Sequence, residues 1–537
     1  MSRIIFEDQR PALQVDAGRA DVACFVGLVR RVGSSIPPVA QTWLTQQGWS
    51  QGPYARDLTQ LEDVPVPVEN YAGFTAMFDA GNSSGTFGTD YLAAAVRSFF
   101  AQGGKRCYIV RMDDPVTEDD DAGTKQAKVQ SLLVDQESHS AADPRTWHGV
   151  GHLAGLTEVS FLAVPDLPLL SASNATLAAG QNPAVQGGPE QFVECSIVDA
   201  APASIPVSVP LAPRLSPGDY ANWAASVAGI LQYLAGAGNR QEPHLREIQF
   251  VAAVPLPQDL DAAAAAEAPS SATLAQDIHE LILGYLPETA DTSSITITSK
   301  NLSTAFLQLT YPWLKTSGSQ FLLESLEAPD GVLTGILARN ALKRGAFTSA
   351  TKITPAEVYD AWPALPAQET QVSATPLSWG ANPALPKPLI ERISLFGFTA
   401  AGLRLLSDVT AYPDENYRSA SVNRLVSVIC RAARRMGEHS IFEQNGPDLW
   451  GRVQRFLQQL LTRLWTLNAL DGATVQDAFS VRCDQSTMTQ NDLDNGRMVA
   501  VVTFTAAATL ELIRVTLALQ TGGASTQEIS AALAEVG

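Results

Sequence analysis

The 537-residue sequence carries little charge, and most of that charge is negative. Only 17% of the residues are Asp, Glu, Lys or Arg, and 55 acidic residues outnumber 36 basic ones, which gives a net charge of −19 at pH 7. A chain with this balance repels phosphate backbones and anionic lipid headgroups overall. The composition therefore argues against nucleic acid or anionic membrane as the main partner, although it leaves room for a local basic patch.

Cysteine is scarce, and its spacing has no pattern. Disulfide frameworks and zinc ribbons need paired or closely spaced cysteines, and this sequence has no Cys-x-x-Cys motif. Both classes are therefore excluded. We predict that the cysteines are small buried hydrophobic residues in a reducing compartment. They are Cys24, Cys107, Cys195, Cys430 and Cys483.

Long hydrophobic runs are also missing. The first residues lack the basic start and apolar stretch of a signal peptide. The longest nearly apolar stretch, 498–510, is too short to span a bilayer as a helix, and its Val, Thr and Phe content favours a strand. We therefore predict neither a leader peptide nor a membrane span.

Hydrophobic residues make up 45% of the chain, and its length indicates two to four domains. Short apolar runs alternate with helical patterns, which predicts α/β units around a largely parallel sheet. The strands are predicted at 20–29, 71–78, 107–110, 159–164, 248–254 and 305–309. The helices between them are predicted at 90–101, 220–234 and 274–285.

Six prolines between Pro363 and Pro388 mark the best domain boundary, because proline neither continues a helix nor donates to a strand ladder. Two amphipathic helices follow, with apolar faces over 422–436 and 450–464. Short strands are predicted around them at 440–442, 479–483, 498–505 and 509–518. We interpret this region as a compact α+β domain followed by a tail.

The first 20 residues form an arm rather than a domain. Ile4, Ile5 and Phe6 are an apolar cluster followed by charged residues and Pro11. A segment this short cannot form a hydrophobic core of its own. It must therefore pack against another surface or stay loose.

Several motifs imitate catalytic or binding sites. Gly81, Ser83 and Gly85 match the spacing of a nucleophile elbow, but the predicted helix does not follow directly, so a plain loop is favoured. His148 and His152 have metal-binding spacing, but glycines between them disfavour a helix. The phosphate-loop and dinucleotide-binding motifs are both incomplete, because residues that each motif requires are missing. The acidic runs at 118–121 and 492–496 are predicted to be a solvated loop and a turn. No catalytic, cofactor or metal site is predicted, which favours a structural role.

One basic cluster stands out in this acidic chain: Arg431, Arg434 and Arg435. Arg424, Arg431 and Arg435 lie away from the apolar face of the first C-terminal helix. The cluster is either a solvated helix face or a contact for an acidic partner surface.

A series of segments resembles the contractile tail sheath proteins of phage tails, R-type pyocins, type VI secretion systems and extracellular contractile injection systems. In the C-terminal region the resemblance rests on Phe442–Asn445, Leu449–Trp450, Leu464–Trp465, Leu470–Thr474, Ala478–Phe479, Val481–Asp484, Thr489, Asp492, Asn495–Arg497 and Glu511–Ile513. Upstream it rests on Phe99–Val110, Tyr311–Trp313, Asp330–Gly331 and Ala338–Arg339.

The resemblance implies a structural subunit and not an enzyme. Such subunits polymerise as stacked hexameric rings around an inner tube and contract to drive the tube through a target envelope, without nucleotide hydrolysis in the stroke. The implied partners are other copies of the chain, the inner tube protein, and baseplate and terminator proteins, with no nucleic acid and no membrane insertion. Assembly is expected in the bacterial cytoplasm, as part of a phage tail or a tail-like injection particle.

The implied fold is an outer, subtilisin-like α/β portion with a compact inner α+β domain and two strand-exchanging arms. The expected divisions are an N-terminal arm at 1–20, the outer portion at 21–384, the inner domain at 385–519 and a tail at 520–537. The arms imply strand exchange between subunits through Ile4, Ile5, Phe6, Leu510, Leu512, Ile513 and Val515. Arg431, Arg434 and Arg435 are the expected contact with the inner tube.

Two alternatives remain open. One is an α/β serine hydrolase that uses Ser83 in the loop between Gly81 and Gly85. The other is a terminator or baseplate ring protein of the same type of particle.

Overall fold

The computed structural model describes most of the chain. The described residues are 19–79, 88–117, 120–135, 138–173, 180–183, 206–209, 211–236, 242–258, 282, 284–287, 297–365, 367–370, 388–440, 445–507, 512–520 and 523–526.

The strands are β1 Ala23–Leu28, β2 Pro65–Val68, β3 Cys107–Asp113, β4 Phe161–Ala163, β5 Gly180–Pro183, β6 Pro206–Val209, β7 Arg214–Leu215, β8 Gln249–Ala253, β9 Leu256–Pro257, β10 Leu307–Tyr311, β11 Trp313–Thr316, β12 Val358–Trp362, β13 Ser394–Thr399, β14 Gly402–Leu405, β15 Phe479–Arg482, β16 Met498–Thr505, β17 Leu512–Gln520 and β18 Gly523–Thr526. The helices are α1 Pro38–Gln46, α2 Tyr71–Thr75, α3 Tyr91–Ala101, α4 Ala122–Leu132, α5 Leu167–Ser171, α6 Pro217–Leu234, α7 Asp330–Arg344, α8 Ala367–Thr370, α9 Glu415–Arg418, α10 Ala420–His439, α11 Pro447–Thr466, α12 Val475–Ala478 and α13 Gln490–Asp494.

One eight-stranded sheet organises the first two thirds of the chain. Its strand order is β14-β13-β10-β8-β4-β1-β3-β2, and the six inner strands run parallel to their neighbours. Only the edge strands β2 and β14 pair antiparallel. The predicted largely parallel α/β sheet is therefore confirmed. Its signal in the sequence was apolar runs such as 107–110, because a strand covered on both faces is apolar throughout.

Both faces of this sheet are covered. Side chains alternate along β1, so Cys24 and Val26 belong to the core on one face while Ala23 and Phe25 belong to the core on the other. At one edge, β2 contains Pro65 and Pro67, which lack the N–H groups that a further strand would need.

Residues 71–78 were predicted as a strand, and the structure corrects this. Tyr71–Thr75 is the short helix α2, and the side chain of Asn70 accepts a hydrogen bond from Gly73 N at 2.8 Å. The apolar alternation was real, but an Asn cap that satisfies a free N–H group outweighed it.

The second core begins at Tyr412 and ends at Leu517. Helices α10 and α11 pack against a four-stranded antiparallel sheet with the order β15-β16-β17-β18. Strands β13 and β14 belong to the large sheet, so the change of core lies near residue 411 rather than at the expected division after residue 384. Hydrogen bonding between β10 and β13 continues the first sheet beyond the proline-rich segment.

Helices α3 and α7 cross at very short range on one face of the large sheet. A Cβ atom built on Gly331 would lie 2.5 Å from the Cα atom of Ala95, and one on Gly335 would lie 2.7 Å from the carbonyl oxygen of Phe99. Glycine is therefore required at both positions for the backbones to approach this closely.

Three carboxyl groups are fully buried around this crossing. Asp166 accepts a hydrogen bond from Leu28 N at 2.7 Å, and the Ser98 hydroxyl donates to Glu327 Oε1 at 2.6 Å. Burial raises the pKa of Asp166 and of Glu327 to about 8, and that of Asp330 to about 7. Burial outweighs the hydrogen bonds to these groups and, for Glu327, the charge of Arg97, so at neutral pH Asp166 and Glu327 are mainly protonated and Asp330 is about half protonated.

Raising the pH is expected to destabilise the chain. Between the ordinary carboxyl pKa near 4 and the folded values, the folded state holds protons that the unfolded state has released, so the free energy of unfolding falls across this window. Glu327→Gln keeps the acceptor for Ser98 and is expected to raise stability above pH 8 by about 1 kcal/mol or more, measured as the urea midpoint. The exposed control Asp494→Asn should change nothing; a Glu327→Gln variant with the parent's pH dependence would contradict the assignment.

Candidate functional site

Helix α10 is buried on two sides, and this makes the junction that it forms the best candidate site. Its apolar residues, among them Val422, Val426 and Ile429, face the second core. Its arginines face the amino ends of the parallel strands of the large sheet. The helix therefore joins the two cores of the described chain.

Arg431 reaches three neighbouring strands of the sheet at their amino ends. Its guanidinium donates to Glu247 Oε2 at 3.2 Å, before β8, and to Ser160 Oγ at 2.7 Å and Val159 O at 3.0 Å, before β4. It also donates to the carbonyl oxygen of Arg19, just before β1. Arg431 is 1% exposed, so these contacts use an internal charge.

Arg434 binds the same carboxylate from one helical turn further on. Its Nε donates to Glu247 Oε1 at 2.8 Å and its Nη2 to Glu247 Oε2 at 2.9 Å. Its Nη1 donates to Glu438 Oε1 at 2.8 Å, on the solvent side. We call Arg19, Glu247, Arg431 and Arg434 the arm anchor, because Arg19, the first described residue, belongs to the end of the predicted N-terminal arm.

Burial acts differently on the two guanidinium groups. Burial lowers the pKa of Arg431, against the opposing pull of Glu247. Burial also works to lower the pKa of Arg434, but Glu247 and Glu438 together raise it. A guanidinium begins so high that both side chains stay charged, and Glu247 supplies the counter-charge that makes their burial tolerable.

A second buried ion pair holds the beginning of α10. Arg424 donates to both carboxylate oxygens of Asp408, at 3.0 and 2.6 Å. Asp408 also accepts from Gln308 Nε2 at 3.0 Å and from Ala350 N at 2.8 Å. Burial alone would raise the pKa of Asp408, but Arg424 and these donors hold it below its usual range. The helix is thus fixed at two points by ionised side chains.

The predicted site residues fall into three groups. Ile4, Ile5, Phe6 and Leu510 lie outside the described residues. Leu512, Ile513 and Val515 lie on β17, where they pair with Thr505, Phe504 and Val502 of β16 in the same chain. Arg431 and Arg434 are internal, so neither is on a solvated helix face, and of the arginine cluster only Arg435 is partly exposed.

The other candidate motifs have structural roles where they are described. His148 Nδ1 and His152 Nε2 both lie on Asp63, at 2.6 and 2.9 Å, rather than around a metal position. Among the described residues, no group of three or more His, Cys, Asp or Glu side chains is arranged to hold a metal ion. Thr489 caps α13 by accepting a hydrogen bond from Asp492 N, and the Asp492 carboxylate accepts one from Thr489 N in return. Ser83, Gly81 and Gly85 lie outside the described residues.

Cys24, Cys107, Cys430 and Cys483 are free and buried, as predicted, while Cys195 lies outside the described residues. No helix in the described ranges is long and apolar enough to cross a membrane.

Sequence reasoning missed Glu247, the centre of the arm anchor. It lies 184 residues before Arg431, at the end of the 3₁₀ helix Pro243–Glu247. One signal was present: an acidic residue directly precedes the buried strand β8, where burial of an unpaired carboxylate would be costly.

Removing the charge of Glu247 is expected to destabilise the chain strongly, because Arg431 would lose its only described carboxylate partner. Glu247→Gln should cost about 3–5 kcal/mol in the free energy of unfolding. The control Glu438→Gln removes a partner of Arg434 whose side chain is 47% exposed, and should cost about 1 kcal/mol or less. Urea unfolding of both variants measures the difference; equal costs would show that burial of Glu247 has no energetic weight.

Comparison with known proteins gives matches among solved structures only. No protein-family model and no curated protein matches the chain. The anti-feeding prophage (AFP) helical sheath in its contracted state matches with a TM-score of 0.52 and 18% identity, over 95% of this chain and 96% of that one.

Two further structures agree with it. The sheath complex of PVC, an extracellular contractile injection system, in its contracted state matches with a TM-score of 0.51 and 16% identity, over 94% of this chain and 93% of that one. A chain of the six-fold symmetrised AFP baseplate matches with a TM-score of 0.52 and 16% identity, over 94% of each chain. The described chain therefore has the fold of contractile sheath proteins, as the resemblance in the sequence predicted.

Proposed function

We propose that this chain is the structural subunit of a contractile sheath, which polymerises as stacked hexameric rings around an inner tube. Contraction of the sheath drives the tube through a target envelope. The observation that carries the proposal is the match over nearly the whole length of both chains to two sheaths in contracted states. A shared domain alone would have left large parts of one chain unmatched.

The strand-exchange hypothesis is supported by the form of the second sheet. Its edge strands are β15 and β18, and an edge strand offers backbone hydrogen-bonding groups to another chain. The register of β17 against β16 within one chain is equally available between two copies, as in domain swapping. We propose that Leu510, Leu512, Ile513 and Val515 on one side, and Ile4, Ile5 and Phe6 on the other, link neighbouring subunits in this way.

The proposed stroke uses energy stored at assembly, with no cofactor and no nucleotide. The proposed partners are the inner tube, baseplate and terminator proteins, and assembly in the bacterial cytoplasm is part of the same proposal. For the contact with the inner tube, Arg435 is the member of the cluster whose side chain has access to a partner. Arg431 and Arg434 would act behind it, by holding α10 in place.

A second candidate function is a ring protein of the baseplate or terminator. One observation favours it: two of the matching structures are AFP baseplates. The serine hydrolase has no such support, since its proposed nucleophile, Ser83, lies outside the described residues.

The full chain, overexpressed alone, is expected to form long hollow helical tubes in negative-stain electron microscopy. Subunits joined head to tail, through two different complementary surfaces, propagate as a helix when the rotation does not close. Isolated rings would favour the terminator or baseplate function, and small particles that react with serine-directed probes would favour the hydrolase.

Deleting residues 1–15 is expected to leave folded subunits that do not form tubes, because the apolar arm is lost while Arg19 and the arm anchor remain. Size-exclusion chromatography and microscopy measure the outcome. The matched control removes 527–537 from the other end and keeps β17 and β18. Tubes formed by the 1–15 deletion would contradict the proposed role of the arm.

A further inference from the structure

A groove of about 400 Å³ opens beside the arm anchor, between α7 and α11. Its lining is mainly apolar: Leu342, Phe347, Val428, Leu460, Leu464 and Leu467. Leu342 on α7 and Leu467 directly after α11 are 49% and 53% exposed, so two large apolar side chains lie open to solvent. Open apolar grooves are typical of binding sites for apolar ligands or chain segments.

The start of the described chain lies in the same groove. Arg19, Ala20 and Asp21 line one end of it, and Arg463 lines it as well. The Arg19 guanidinium binds the Asp21 carboxylate at 3.0 and 2.6 Å, and Arg431 holds the Arg19 carbonyl. The preceding segment therefore leaves the folded chain at the rim of the groove, from a point fixed on both sides.

We propose that the groove is the docking site for Ile4, Ile5 and Phe6 of the same chain while the subunit is unassembled. The three side chains are large and apolar, as the lining is. The segment thus matches the groove in hydrophobicity.

The tether favours the chain's own segment over that of a second copy. Phe6 lies thirteen residues before Arg19. A segment of thirteen residues spans at most about 45 Å, which limits how far Phe6 can lie from Arg19. A short tether gives a local concentration in the millimolar range, far above that of free subunits. Docking within one chain therefore precedes docking between chains.

The consequence rests on the proposed sheath function. An arm docked on its own chain cannot pair with a neighbour, so a subunit would exchange its arm only when a neighbour offers a larger interface. The groove would then restrain polymerisation away from a growing sheath end.

Hydrogen–deuterium exchange of the full chain, followed by mass spectrometry of peptides from residues 1–10, tests the docking itself. The paired substitution Leu342→Gln and Leu467→Gln should lower the protection of these peptides about tenfold, and Phe6→Gln should do the same. Val39→Gln is the matched control, because Val39 is 57% exposed on α1 and does not line the groove. Across a dilution series, protection in the parent should stay constant.

Absent protection in the parent chain, or unchanged protection in the groove variant, would overturn the proposal. In samples that microscopy shows to be free of tubes and rings, protection that rises with chain concentration would also overturn it, because the occupant would then be a second copy. Microscopy of the same samples separates this result from the sheath function. Protection that is lost in the groove variant and in Phe6→Gln but kept in Val39→Gln supports docking even if no tubes form, and faster tube formation by the groove variant supports the restraint.

Discussion

The burial of Glu247 between Arg431 and Arg434 is the interaction on which the arrangement of this chain depends. Taking three charges out of water is costly, and the cost is met only if the carboxylate and both guanidinium groups keep their hydrogen bonds. That condition sets the position of α10 against the amino ends of β1, β4 and β8. The second core and the start of the N-terminal segment are positioned with it.

The two ends of the large sheet handle buried carboxyl groups in opposite ways. At the amino ends, Asp408 lies beside Arg424 and stays ionised, with its pKa below the usual range. At the carboxyl end of β1, Asp166 has no such cation, and burial raises its pKa to about 8. Charge is therefore kept where two cores must be held in one geometry, and neutralised where α3 and α7 pack closely.

The proposed functional surfaces lie beside this junction rather than within it. The apolar groove and the partly exposed Arg435 lie next to the arm anchor. The edge strands of the second sheet come later in the sequence. A low fraction of charged residues fits a protein whose surface packs largely against its own copies, because each buried charge would need a partner. A net charge of −19 on every subunit makes complementary local patches a requirement of such a polymer.

Local patterns in the sequence were sufficient to predict the strands and helices whose residues are buried at regular intervals. Apolar runs predicted the parallel strands, and the 3.6-residue periodicity predicted α10 and α11, because burial on a sheet face or a helix face leaves a regular pattern. The resemblance to sheath proteins predicted the fold. The strand predicted at 71–78 was wrong, because the capping side chain of Asn70 favours a helix there. The burial of Arg431 could not be predicted, since its partner Glu247 is 184 residues away and only the folded chain brings their charges together.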